Sequence, residues 1–174
     1  MNDGPRTPNT ESEATGARWA SPLTAKQRTA VQRAVDALLD ELAPEVVVSR
    51  ADRLPVAALQ RLRTPRGCIL QAPTGAVSVS WFPDSPTEAD FGELQVVGWR
   101  GVVSRPGSAN RSEGAKAVRE LVLRPVERAP DAWEWQAGDG SATFDTSTLA
   151  AYCIGLLEEQ TGPSQPGAAN AAGR

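Results

Sequence analysis

Few groups in this chain could do chemistry. The 174 residues include two cysteines, Cys68 and Cys153, and no histidine. Without an imidazole the commonest general base is missing, and histidine-containing metal sites and hydrolase triads drop out. Cys68 lies in a stretch that alternates like a strand, and Cys153 on what reads as the inner face of a helix. Both are expected to be inert buried thiols, since free cysteine is among the most buried residue types. A nucleophilic Cys68 would need a cationic neighbour, and Arg66 or Arg50 would have to reach it through tertiary structure. An enzyme built on Cys68 is therefore the third reading.

Four carboxylates, Asp84, Glu88, Asp90 and Glu93, crowd one segment. Calcium is the chemistry they would suit, but Pro86 stands where an EF-hand places a ligand, and the spacing fails. A solvated loop is expected there, with no metal and no cofactor. Glycine-rich phosphate loops of the Walker and GxGxxG kinds are absent from the sequence.

Charge is close to balanced, 18 basic against 21 acidic residues. Nothing global points to nucleic acid or to an anionic membrane surface. Lys26 and Lys116 are the only lysines, so arginine carries nearly all the positive charge. The sign varies along the chain. Residues 49–66 hold five arginines against Asp52 alone, and residues 100–128 are also net basic, while residues 131–160 hold six acidic residues and no basic one. Such segregation serves either complementary surfaces within the fold or the steering of an acidic partner.

Positioning these groups falls to an α+β fold. Thr24 and Gln27 fit a capping box, and Val31, Ala34, Val35, Leu38 and Leu42 recur at helical spacing until Pro44. Val46–Val48 reads as a short edge strand. Ser49 reads as the cap of a second helix over 50–62, with Leu54, Ala58, Leu59 and Leu62 on one face and Pro55 in its first turn. From Arg66 the period changes to two. Cys68–Leu70 and Val77–Trp81 flank a turn signal and predict a hairpin. Leu94–Val103 and Val118–Val126 predict two longer strands, with Gly98 marking a bulge. Trp133 and Trp135 then share a face with Ala142 and Phe144 across a Gly-Asp-Gly turn, for which a two-residue loop fits best. Two registers are open, one pairing Trp135 with Ala142 and the other pairing it with Phe144. A last helix, capped by Asp145, Thr146 or Ser147, carries the stripe Leu149, Cys153, Leu156 and Leu157, and Gly155 within it is expected at a close packing contact.

These elements predict an antiparallel sheet of five to six strands, built as hairpins or a meander and packed by N-terminal helices and a C-terminal helix. One domain over 22–160 is expected, between disordered tails at 1–21 and 161–174. No apolar run is long enough to span a bilayer and no signal peptide is evident, so a cytoplasmic protein is expected.

The leading functional reading is a non-enzymatic binding or regulatory module that meets a protein partner, acidic if the basic segments meet it. Partner-binding candidates are Arg105, Arg111 and Lys116 in the polar segment 104–116, and no nucleic acid or membrane is expected. The runner-up is a carrier of a small apolar ligand, with Trp81, Trp99, Trp133 and Trp135 lining a pocket between the sheet and the last helix. Against that reading, the alternation places Trp133 and Trp135 in the core.

Overall fold

The computed structural model describes residues 24–51, 54, 59–83, 92–103, 115–130 and 132–161. Three helices and seven strands follow in the order α1 (Ala25–Glu41), α2 (Pro44–Arg50), β1 (Gln60–Thr64), β2 (Gly67–Gln71), β3 (Gly75–Phe82), β4 (Glu93–Arg100), β5 (Lys116–Ala129), β6 (Ala132–Ala137), β7 (Thr143–Phe144) and α3 (Thr146–Thr161). The strands form one sheet in sequence order, each antiparallel to the next. This is the α+β class expected, with seven strands in place of five to six. The tail expected at 1–21 and most of the acidic segment 84–93 lie outside the described residues, as does the tail expected at 161–174 except for Thr161, which ends α3.

Thr24 caps α1 as its sequence predicts. Gln27 N donates to Thr24 Oγ1 at 3.3 Å, and Thr24 N donates to Gln27 Oε1 at 2.9 Å. No acidic residue stands in the first turn and no basic residue in the last. The helix dipole therefore gains nothing from its termini, and the buried stripe Val31, Val35, Leu38 and Leu42 holds the helix in place.

The next segment departs from expectation. Val46–Val48 belongs to the helix α2, not to an edge strand. Pro44 explains the change. At the first helical position its fixed φ is already helical and its missing N–H is not needed, so the proline that stops α1 starts α2. Ser49 caps nothing further, because its Oγ donates back to Val46 O at 2.8 Å within α2. The helix expected over 50–62 fails at both ends: Ala51 is already extended, and Gln60–Thr64 is strand β1. Pairing with β2 over five residues overrides the helical spacing of the leucines. Leu62 accordingly pairs with Ile69.

The β2–β3 hairpin and the bulge at Gly98 are where the sequence puts them, the latter as a register shift between Gly98 and Trp99. β4 stops at Arg100 and β5 begins at Lys116, so the first is shorter and the second longer than expected. At the last hairpin Trp135 pairs with Phe144, the second of the two registers. The loop is Gly138–Ser141, four residues and not two, closed by Ala137 N donating to Ala142 O at 2.8 Å. Both lengths keep the same side chains on the same face, so alternation alone could not separate them.

α1 and α3 lie across one face of the sheet, and α2 packs against α3. Between the helices and the sheet sit Leu70, Val77, Leu94, Leu123, Trp135 and Leu157, each fully buried. Asp145 caps α3 by accepting from Thr148 N at 2.7 Å, which holds its carboxyl below the usual range. Gly155 makes no close packing contact among the described residues, because a Cβ built there meets none of them within 4 Å. Gly155→Ala is therefore expected to raise stability by about 0.5–1 kcal/mol through helix propensity. Thermal denaturation checks this, and a lowered midpoint would mean that something does press on Gly155.

No helix among the described residues is long and apolar enough to cross a membrane.

Candidate functional site

The turn between β1 and β2 separates two concavities and belongs to both. Thr64 pairs with Gly67 across a two-residue loop, Pro65–Arg66. Proline's fixed φ and the tight closure make this a rigid ridge.

On the helix side of the ridge is a cleft of about 500 Å³ between α1 and the start of β2. Its walls include Gln32 and Asp36 from α1, with Arg61, Arg63 and Arg66 opposite. The arginines are there because of register. Arg61 pairs with Leu70 and Arg63 with Cys68, both core-facing positions, so the edge strand turns guanidinium groups where its neighbours turn apolar ones. Arg61 Nη2 donates to Leu39 O at 2.6 Å, at the C-terminal end of α1 where carbonyls lack helical partners. Its Nε is shut off from solvent and has no hydrogen-bond partner among the described residues, and the same holds for Thr64 Oγ1. Among the described residues none of the three arginines pairs with a carboxylate. Asp36, the one acidic group in the wall among the described residues, accepts instead from Gln32 Nε2 at 3.0 Å.

Behind this cleft lies Cys68. Burial pushes its thiol up, against the lowering effect of the Arg61 guanidinium beside it and the charge of Arg63. The cationic neighbour is therefore Arg61, not Arg66 or Arg50: Arg50 pairs with Glu41, and Arg66 lies over the Phe82 ring, 4.6 Å from its centroid. Cys153 of α3 is pushed up by its own burial and further by Cys68. Sequence separation hid this neighbourhood of two thiols. Both are buried and stay protonated near neutral pH, the form that is a poor nucleophile.

On the other side of the ridge the sheet turns a face that α1 and α3 do not cover. A groove of about 410 Å³ runs over Ile69, Ser78, Ser80 and Val97, between a wall of Phe82 and Arg66 and a wall of Trp99 and Val103. Trp99 is half-buried, and its Nε1 donates to Ser78 Oγ at 2.9 Å, which fixes the indole plane. Val103 is held by its N–H to Gln71 Oε1 at 2.9 Å, while Gln71 Nε2 donates to Gly75 O at 2.9 Å.

The four tryptophans considered from sequence do not share a site. Trp81, Trp133 and Trp135 face the helices and are buried, with Trp81 and Trp135 in edge-to-face contact at 5.9 Å and 74°. Trp99 lies on the opposite face, in the groove. Of the partner-binding candidates, Arg105 and Arg111 lie outside the described residues, and Lys116 is exposed at the start of β5. Arg61, Arg63, Phe82 and Val97 went unrecognised. The signal for the first two is present: Arg-Leu-Arg at 61–63 alternates with period two inside the most basic segment of the chain, but the leucines up to Leu62 also fit a helical spacing, which puts Arg61 in the helix expected over 50–62.

No family model, no curated protein and no solved structure matches this chain.

Proposed function

We propose that this chain is a non-enzymatic binding module that takes a protein partner on the face of its sheet that α1 and α3 leave open, around the β1–β2 turn. One observation carries the reading. α1 and α3 both lie on a single face, and the other presents an apolar groove walled by Trp99 and Phe82. A half-buried aromatic beside aliphatic floor residues is the composition of an interface centre. Arg66 forms one wall of the groove and also faces the cleft, so a partner with acidic residues flanking an apolar anchor matches the charge there. The same surroundings give no support to catalysis, because the two thiols nearest the site are buried and protonated.

The test compares variants in capture from a native lysate at low salt. Wild type is expected to recover a stoichiometric partner. Val97→Asp, which buries a charge in the groove floor, is expected to lose it by about tenfold or more. Trp99→Ala tests the same surface with less strain on the fold. Recovery of nothing by wild type, or equal recovery by a folded Trp99→Ala variant, would overturn the reading.

A further inference from the structure

We infer that the cleft between α1 and the β1–β2 turn is an oxyanion site, built to take a carboxylate or phosphate group against Arg61, Arg63 and Arg66. Three observations converge. The cleft has about 500 Å³ of space, room for more than a single small ion. Among the described residues, its walls bring three arginines against one acidic residue, Asp36. Third, the innermost cation is incompletely satisfied: Arg61 gives Nη2 to the Leu39 carbonyl, and its Nε is buried without a partner among the described residues.

A half-buried cation held by one carbonyl and a neighbouring neutral thiol, with no paired counter-charge among the described residues, bears a desolvation cost that a counter-ion relieves. The relief acts through the field as well as through contact, since charges so close to a protein interior are weakly screened. Arginine is also the right cation for this task. Its planar fork matches the two oxygens of a carboxylate or phosphate, which an ammonium does not. Thr64 adds a second polar atom, Oγ1, that is buried and without a partner among the described residues at the same turn.

Arginines facing inward on an edge strand also discourage pairing with another sheet. That benefit comes from the charge alone. It calls neither for the third arginine in the turn nor for an open cleft.

The site shares Thr64, Pro65, Arg66 and Phe82 with the outer groove. An oxyanion could therefore come from a free ligand or from an acidic side chain of a partner seated on the groove. The inference does not need the groove to bind anything.

Arginine Nε–Hε NMR of the full chain tests it, titrating inorganic phosphate, pyrophosphate and a hexaglutamate peptide separately, each against chloride at matched ionic strength. A saturable shift of the Arg61, Arg63 and Arg66 signals, with a rise in Tm, is expected from at least one probe. Saturation by phosphate or pyrophosphate alone assigns a phosphorylated ligand, and saturation by hexaglutamate alone assigns an acidic protein segment. Both outcomes sustain the site. Replacing Arg61 risks the fold, so the paired variant is Arg63→Gln with Arg66→Gln, two exposed residues. It is expected to weaken the saturating probe by about tenfold or more for each arginine removed. Shifts no larger than chloride produces, or unchanged affinity in the folded double variant, would overturn the inference even if partner capture on the groove succeeds.

Discussion

Trp135→Ala is expected to lower the unfolding free energy by about 3–5 kcal/mol, the largest single-residue loss in the domain. Its ring is fully buried, stands edge-on to Trp81, and lies between α3 and the sheet. Truncation leaves a hole walled by strands on one side and helices on the other. Strands tied into a seven-membered ladder cannot close in on it, so little of the cost is recovered by relaxation. Trp135→Phe separates two contributions to that cost. The indole Nε1 is buried without a hydrogen-bond partner among the described residues, so phenylalanine removes an unsatisfied donor along with some volume. Its loss is expected at about 1–2 kcal/mol, well below that of the alanine variant. Urea unfolding at constant m gives both values. A loss under about 1 kcal/mol for Trp135→Ala, in a folded product, would mean that the ring is a surface platform and the core lies elsewhere.

Burial of Trp135 was legible because alternation is a local property. Trp133, Trp135, Ala142 and Phe144 fall on one face in either register, and only the loop length was left open. The caps of α1 and α3 were legible for the same reason: each is settled by three or four consecutive residues. Failures came where distant pairing decides. Arg61 and Arg63 become core-side residues of an edge strand only through Leu70 and Cys68 across the turn. Without that pairing their segment satisfies a helical spacing equally well. Trp99 failed differently. Its strand was recognised, but the register shift at Gly98 and the choice of which face the helices cover are tertiary facts. The site was therefore half-visible: its charge could be read from the segment 49–66, and its geometry could not.

Gly67→Ala is the second large effect expected, a loss of about 3 kcal/mol, at the top of the range for forced overpacking. The cause begins with Pro65. Tight two-residue hairpins favour turns with positive φ at the first loop position, and proline cannot adopt it. The turn is thus of the kind that splays its strands, and the chain leaving it must come hard against its other neighbour. Gly67 is where it does so. A Cβ there would stand 2.0 Å from Val79 O and 3.0 Å from Val79 C, backbone atoms in the middle of the sheet. Trp81 N donates to Arg66 O at 2.7 Å on the same approach, so neither strand is free to retreat. Gly140→Ala serves as the control, since that residue has φ +73 and a Cβ there meets nothing within 4 Å. Its cost should be conformational only, about 1–2 kcal/mol. Because Gly67 fixes the turn that carries Arg66, the folded fraction of Gly67→Ala should also bind oxyanion probes less tightly, which Gly140→Ala should not. Equal denaturation midpoints for the two variants would mean that β2 and β3 yield freely at the turn. The guanidinium of Arg66 would then be placed by its stacking on Phe82 alone.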